Sequence, residues 1–315
     1  MLKISVSVNP NKDKELVNTL KLLEMLKNYS VRVFMSDTFK RPYGDREPLS
    51  DTLLAPYKIE YLPEHILYRK ANICIVFGGD GTILKIAKKA SQSGAYILGI
   101  NLGRVGYIAE LEINELDLLD KLFRLSAAEE IEKTEGVTID RRMMLKTEIL
   151  RSEKTVYVAN ALNDIVISKG AVSRMAGLRL MCDGKVISTY RADGIIISTP
   201  TGSTAYCMSA GGPIIDPRLE CICAVPVCPY MCLNSGAVVF SDSSCIEIEF
   251  KADKINEAFC TVDGKGAKTI YDGDIIRITK SPYYTKLIRL KDIDFYSLLN
   301  KKMSLANNQS ENDER

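Results

Sequence analysis

Residues 2–8 alternate Leu2, Ile4, Val6 and Val8 with Lys3, Ser5 and Ser7, and they end in Asn9-Pro10-Asn11. A period of two stopped by a turn predicts a strand. Helical spacing follows over about residues 13–27, then a strand at 31–35 and an irregular, proline-bearing stretch to about residue 69. That stretch is too long for a simple connection in a compact domain, so it reads either as a lid or as a surface insertion without a role. The run from Ile73 to Phe77 is wholly apolar, a helix is predicted after Gly81, another apolar strand covers 96–100, and a helix lies near 115–125. Strands alternating with helices predict an open parallel sheet whose ligands lie at the carboxyl ends of its strands.

The pattern changes from about residue 133. Short β-type runs at 137–139, 155–160, 178–181, 190–198, 246–250 and 275–278 are separated by turns such as Cys182-Asp183-Gly184-Lys185. These predict an all-β domain. The reading is thus an α/β domain over residues 1–132 and an all-β domain over 133–287. A C-terminal helix within 288–303 and a disordered polar tail over 304–315 complete it.

Chemistry concentrates where strands end. Gly78-Gly79-Asp80-Gly81-Thr82 follows the strand 73–77 and opens a helix. Glycines expose backbone N–H groups and the helix adds the positive end of its dipole, so Gly78, Gly79, Gly81 and Thr82 are candidate phosphate binders. Asn101, at the end of the next strand, is another. A carboxylate beside phosphates is repelled unless a cation intervenes or it takes a proton from an attacking hydroxyl, which makes Asp80 the candidate catalytic base. The competing reading is an ordinary strand-to-helix turn with aspartate as a cap. Downstream, Thr199-Pro200-Thr201-Gly202-Ser203-Thr204-Ala205-Tyr206 runs on to Ser209, Gly211 and Gly212. Its hydroxyls and glycines suit a sugar and a base better than a metal.

Four segments occur in order: Gly78 to Gly81, Asn101-Leu102-Gly103-Arg104-Val105-Gly106-Tyr107, Asn163-Asp164, and Asp193-Gly194 followed by the Thr199 to Tyr206 run. Together they resemble the NAD kinase family over roughly residues 1–303. GGDG alone would not separate it from phosphofructokinases or from lipid kinases of the diacylglycerol and sphingosine type; the TPTGSTAY run does. The resemblance implies a phosphofructokinase-like α/β domain, then a β-sandwich, with the last helix returning to the first domain. It also implies transfer of the terminal phosphoryl group of ATP, or of polyphosphate, to the 2′-hydroxyl of the adenosine ribose of NAD, giving NADP. Asp80 would be the base and Mg²⁺ or another divalent cation would accompany the donor phosphates. Asp80, Gly81, Asn163, Asp164, Arg174, Arg191, Asp193, Thr204, Ala205, Tyr206 and Ser209 would contact NAD, and a neighbouring subunit of a homodimer or homotetramer would complete the site. The chain departs from the family at Ile83, where phenylalanine is frequent, at Lys265, and at Asn234-Ser235-Gly236-Ala237. The alternatives are an NAD-binding sensor without turnover and a lipid or sugar kinase of the same superfamily.

Composition narrows this little further. Forty-two basic against 40 acidic residues leave no footprint for nucleic acid. No apolar stretch reaches the ~18 residues a membrane span needs, since the best one carries Pro226 and Pro229. Nine cysteines without an export signal predict reduced thiols in a cytoplasmic protein, and Cys221, Cys223, Cys228 and Cys232 lack the spacing of a zinc site. With His65 as the only histidine, no HExxH site exists; His65 reads as surface, and Lys85, Lys88 and Lys89 read as a solvated helix face.

Overall fold

The computed structural model describes residues 1–42, 47–103, 106–170, 175–230, 236–251, 258–292 and 294–313, with side chains to 304. The chain divides into two compact units, residues 1–141 with 285–315, and residues 142–284.

In the first unit, β1 (Leu2–Val8), α1 (Val17–Leu26), β2 (Val31–Ser36), β3 (Ile59–Leu62), α2 (Glu64–Lys70), β4 (Ile73–Phe77), α3 (Asp80–Ser93), β5 (Tyr96–Asn101), β6 (Leu111–Glu112) and α4 (Asp120–Phe123) follow in order. The strands line up as β3-β2-β1-β4-β5, all parallel. β4 and β5 are buried at every residue. A parallel strand covered on both faces cannot alternate, which is why Ile73 to Phe77 is a continuous apolar run. The strand order reverses between β1 and β4, with Val8 opposite Phe77, and the carboxyl end of that pair is where an open sheet binds its ligands.

In the second unit lie β7 (Thr138–Arg151, beginning in the first unit), β8 (Lys154–Ala161), β9 (Asp164–Lys169), β10 (Ala176–Cys182), β11 (Lys185–Ala192), β12 (Gly194–Ser198), α5 (Tyr206–Ser209), β13 (Cys221–Val227), β14 (Val238–Ser241), β15 (Ile246–Lys251), β16 (Ala258–Val262), β17 (Lys265–Ile270) and β18 (Ile275–Arg289). One layer contains β11-β10-β15-β18 and the β7-β8 hairpin, and the other is β14-β13-β12-β9-β16-β17, antiparallel throughout. Ile165, Ile167, Ile195 and Ile197 of one layer pack with Leu178, Leu180, Ile246, Ile248 and Ile276 of the other. Ile196 and Val166 face the opposite way, onto Cys207, Ile215 and Val225. β18 ends in the first unit, where Lys286 and Leu287 pair parallel with β5; α6 (Phe295–Asp313) follows.

Several expected boundaries differ. The stretch 37–69 contains β3 and α2; its prolines lie outside both helix and strand cores, with Pro63 at the α2 N-cap. His65 sits exposed on α2, a helix and not a loop. The run 190–198 is two strands in different sheets, broken at Asp193. Residues 288 and 289 belong to β18, and α6 continues to Asp313 where a disordered tail was expected.

The last residues of β18 are held by charge. Arg289 donates to both Asp140 (3.0 Å) and Glu110 (3.1 Å) and to the Ile108 carbonyl (3.0 Å), while Glu110 accepts from the Leu290 and Lys291 N–H groups. Removing one partner strands the others without compensation. Arg289→Ala should therefore cost about 3–5 kcal/mol in urea unfolding, far more than an exposed pair such as Arg124 with Asp120.

Candidate functional site

Only Gly78 and Gly79 separate β4 from α3. Gly78 has φ +153°, and a β-carbon there would meet the Thr82 hydroxyl at 2.5 Å. Its N–H donates to the Ile100 carbonyl (2.9 Å) and the Thr82 N–H to the Gly79 carbonyl (2.8 Å). The donors the loop can offer a phosphate are then the N–H groups of Gly79, Asp80 and Gly81, at the positive end of α3.

Asp80 is the first residue of α3 and half-buried. Its Oδ2 accepts from the Tyr107 N–H (2.8 Å) and its Oδ1 from the Ile108 N–H (3.1 Å). Each oxygen keeps another lone pair for a substrate proton. Gly106 lies so close that a β-carbon there would fall on the carboxylate, which gives this glycine its reason. Asn101 shapes the same loop from within: its Nδ2 donates to the Gly103 carbonyl (2.9 Å) and its Oδ1 accepts from the Gly103 N–H (3.2 Å), so both ends of the amide are engaged. Arg104 and Val105 lie outside the described residues. Around the carboxyl ends of β1 and β2 a cavity of about 210 Å³ is lined by Val6, Val8, Phe39 and Leu49 together with Ser7, Arg41 and Glu64.

In the second unit the Asp263 carboxylate collects the N–H groups of Leu162 (3.0 Å), Asn163 (2.7 Å) and Asp164 (3.3 Å), and its own N–H donates to the Asp164 carbonyl. That clasp fixes the turn between β8 and β9. Burial pushes the Asp164 carboxyl up to about 7, and the nearby Asp263 charge adds to the shift. Burial also raises Asp263, against the pull of its three N–H donors. The Asn163 side-chain oxygen is buried without a hydrogen-bond partner, a costly state that a donating ligand would relieve. Thr199 ties the TPTG turn to this place, its hydroxyl donating to the Leu162 carbonyl (2.6 Å) and its N–H to the Asn163 carbonyl (2.9 Å). Gly202 packs against the Asn163 carbonyl, where a β-carbon would collide.

The fold gathers Asn163, Asp164 and Thr199 to Ser203, with Thr204, Ala205, exposed Tyr206 and exposed Ser209 on the next turns. Arg191 and Asp193 do not join them: Asp193 precedes β12 and pairs with Lys169 (2.9 Å), while the TPTG turn leaves the strand's other end, roughly 16 Å away for five residues. Arg174 lies outside the described residues. Sequence reading assigned no role to Asp263, whose Asp-Gly pair looks like plain turn chemistry and whose φ is +50°. It also missed Lys302 of α6, 3.9 Å from the Tyr107 ring centroid, for which no local signal exists. Lys89 pairs with Glu64, as a solvated face would.

Family models match the chain twice: the ATP-NAD kinase N-terminal domain over residues 4–125 and the ATP-NAD kinase C-terminal domain over residues 162–290. The NAD kinase of Caldanaerobacter subterraneus subsp. tengcongensis is 36% identical over 305 residues, 96% of this chain and 99% of the relative. That of Natranaerobius thermophilus is 41% identical over 237 residues, 74% and 78% of the two chains. Among solved structures, yeast NADH kinase complexed with NADH aligns with a TM-score of 0.78 at 23% identity, covering 96% of this chain and 88% of that one. An NAD kinase from Archaeoglobus fulgidus in complex with ATP gives 0.67 at 24%, covering 96% and 98%. At these identities the two structures speak to the fold.

Gly106→Ala should push the Asp80 carboxylate off its two donors and lower turnover on the order of 10²-fold with the fold retained by circular dichroism. Asp164 has a raised folded pKa, so its contribution is full below its unfolded value and falls away as pH rises through the folded one. The melting temperature of Asp164→Asn relative to the unsubstituted protein, both without ligand, should climb between about pH 4 and about pH 7 and then level off.

Proposed function

We propose that this chain, which belongs to the NAD kinase family and is a phosphotransferase of that family, uses Asp80 as the base for the 2′-hydroxyl of the adenosine ribose of NAD. The hydroxyl proton passes to Asp80, the hydroxyl oxygen bonds to the terminal phosphorus of ATP, and the bond from that phosphorus to the departing ADP breaks, leaving NADP. The observation that carries the role is the clasp on Asp80: two backbone donors fix the carboxylate at a helix start and leave lone pairs free.

The N–H groups of Gly79 and Gly81 suit the donor phosphates. A cavity of mixed apolar and polar lining at the carboxyl ends of β1 and β2, in the same sheet, offers room for a nucleoside, which favours ATP over polyphosphate as donor. Asn163 would accept from a ribose hydroxyl through its unpartnered oxygen, and Asp164, its pKa raised to about 7, can donate to one while it holds its proton. Among the described residues no three His, Cys, Asp or Glu side chains gather around one point, so a divalent cation would be held chiefly by the donor phosphates and water, where it offsets their charge. Thr204, Ala205, Tyr206 and Ser209 would line the dinucleotide. The distance of Arg191 and Asp193 from that cluster favours their acting on a neighbouring subunit's ligand. β11, an edge strand with Val186 and Ile187 exposed, offers a surface for such a homo-oligomer. Among the described residues no helix is long and apolar enough to cross a membrane and the described cysteines are unpaired, which supports a cytoplasmic setting.

Purified protein given NAD, ATP and Mg²⁺ should make NADP, followed with an NADP-specific dehydrogenase. Asp80→Asn should lower the rate on the order of 10²–10⁴-fold with NAD affinity kept. Equal loss of rate and affinity would remove Asp80 from the role of base.

A further inference from the structure

Phosphoryl transfer needs positive charge on the group in flight. The sequence has no GxxxxGK[ST] lysine, and the donors around Asp80 in the GGDG loop are neutral amides. A cation does arrive there from the far end of the chain. Asp294 starts α6 by accepting from the Tyr296 (2.9 Å) and Ser297 (3.0 Å) N–H groups. Two turns later Lys302 sets its ammonium 3.9 Å from the centroid of the Tyr107 ring. Tyr107 is the residue whose N–H holds Asp80. Ammonium, ring and carboxylate are therefore successive neighbours within one unit.

The ammonium is also underemployed. Lys302 is half-buried, and among the described residues it forms no ion pair within 4.0 Å. Burial pushes it below the ordinary lysine value, while the Asp80 carboxylate pulls it up. A partly desolvated cation with a ring face as its companion is set for an anion. The attacking oxygen must come within hydrogen-bond reach of Asp80, and the phosphorus lies directly beyond it in line. Tyr107 thus brings a cation into the neighbourhood of Asp80, where the charge on that phosphoryl group would develop.

We propose that Lys302 is a further catalytic residue, its ammonium contacting the phosphoryl group as that group passes to the hydroxyl deprotonated by Asp80. The assignment rests on the phosphotransfer reading above. The alternative is a prop that merely positions Tyr107.

The test compares the full chain with Lys302→Met, Lys302→Arg and Tyr107→Leu, assayed with NAD, ATP and Mg²⁺ and melted by circular dichroism. Lys302→Met should lose on the order of 10²–10³-fold in kcat with KM for NAD within about threefold, because the contact is made in the transition state. Lys302→Arg should recover about tenfold of that loss, and Tyr107→Leu should lose less than about tenfold. A kcat of Lys302→Met within about threefold of the unsubstituted protein overturns the assignment. So does an equal loss in Tyr107→Leu, which would make Lys302 a prop. Should Lys302→Met melt early, the arginine variant decides: restored turnover supports the contact, and unrestored turnover overturns it. An inactive unsubstituted protein would overturn the phosphotransfer reading and this assignment with it, whereas an active one with an unimpaired Lys302→Met overturns the assignment alone.

Discussion

Two backbone N–H groups, of Tyr107 and Ile108, hold the Asp80 carboxylate, and much of the first unit serves to keep them there. The loop that carries them leaves β5, turns on Asn101 and returns along β5, with the Glu110 N–H on the Gly99 carbonyl (2.9 Å). Gly99 has no room for a side chain, since a β-carbon would meet Ile83 Cδ1 at 2.5 Å and the Ala109 backbone at 3.0 Å. Arg289 then takes the Ile108 carbonyl, and Glu110 takes two N–H groups beyond β18. These contacts give the carboxylate a fixed direction, which any role in proton transfer would need as much as charge.

The second unit repeats the device with another carboxylate. Asp263 gathers three consecutive N–H groups and thereby sets the side chains of Asn163 and Asp164. In both units an aspartate organises backbone and the backbone organises chemistry. The difference is charge: burial, with the nearby Asp263 charge adding to it, raises the Asp164 carboxyl to about 7. A carboxyl that holds its proton can both donate and accept a hydrogen bond, whereas a carboxylate only accepts.

What the sequence disclosed follows from which forces are local. β1 and β4 were legible in their own residues, β1 by alternating apolar positions closed by Asn9-Pro10-Asn11 and β4 by the unbroken apolar run that burial on both faces demands. β3 and α2 were hidden because the prolines around them dominate the local composition and the stabilising partners, β2 and α3, lie elsewhere in the chain. The break at Asp193 was equally invisible, since only the pairing of β11 with β10 and of β12 with β9 separates the two strands. Asp80 announced itself among glycines. Asp263 and Lys302 could not, because each acquires its meaning from a residue about 100 or more positions away.

The first unit is built from both ends of the chain, with Lys286 and Leu287 beside β5 and Arg289 on the Ile108 loop. During synthesis the sheet's opening strands emerge first, at roughly 5–20 residues per second, and wait for a strand made only after the second unit. Until residue 289 leaves the ribosome, Tyr96 and Ile97 of β5 lack their partners on one edge and the loop that grips Asp80 lacks its outer anchor. Such long-range closure is slow and leaves a strand edge open to wrong partners in the meantime. The nascent chain thus carries Asp80 through the synthesis of the whole second unit before the loop that holds its carboxylate is tied down.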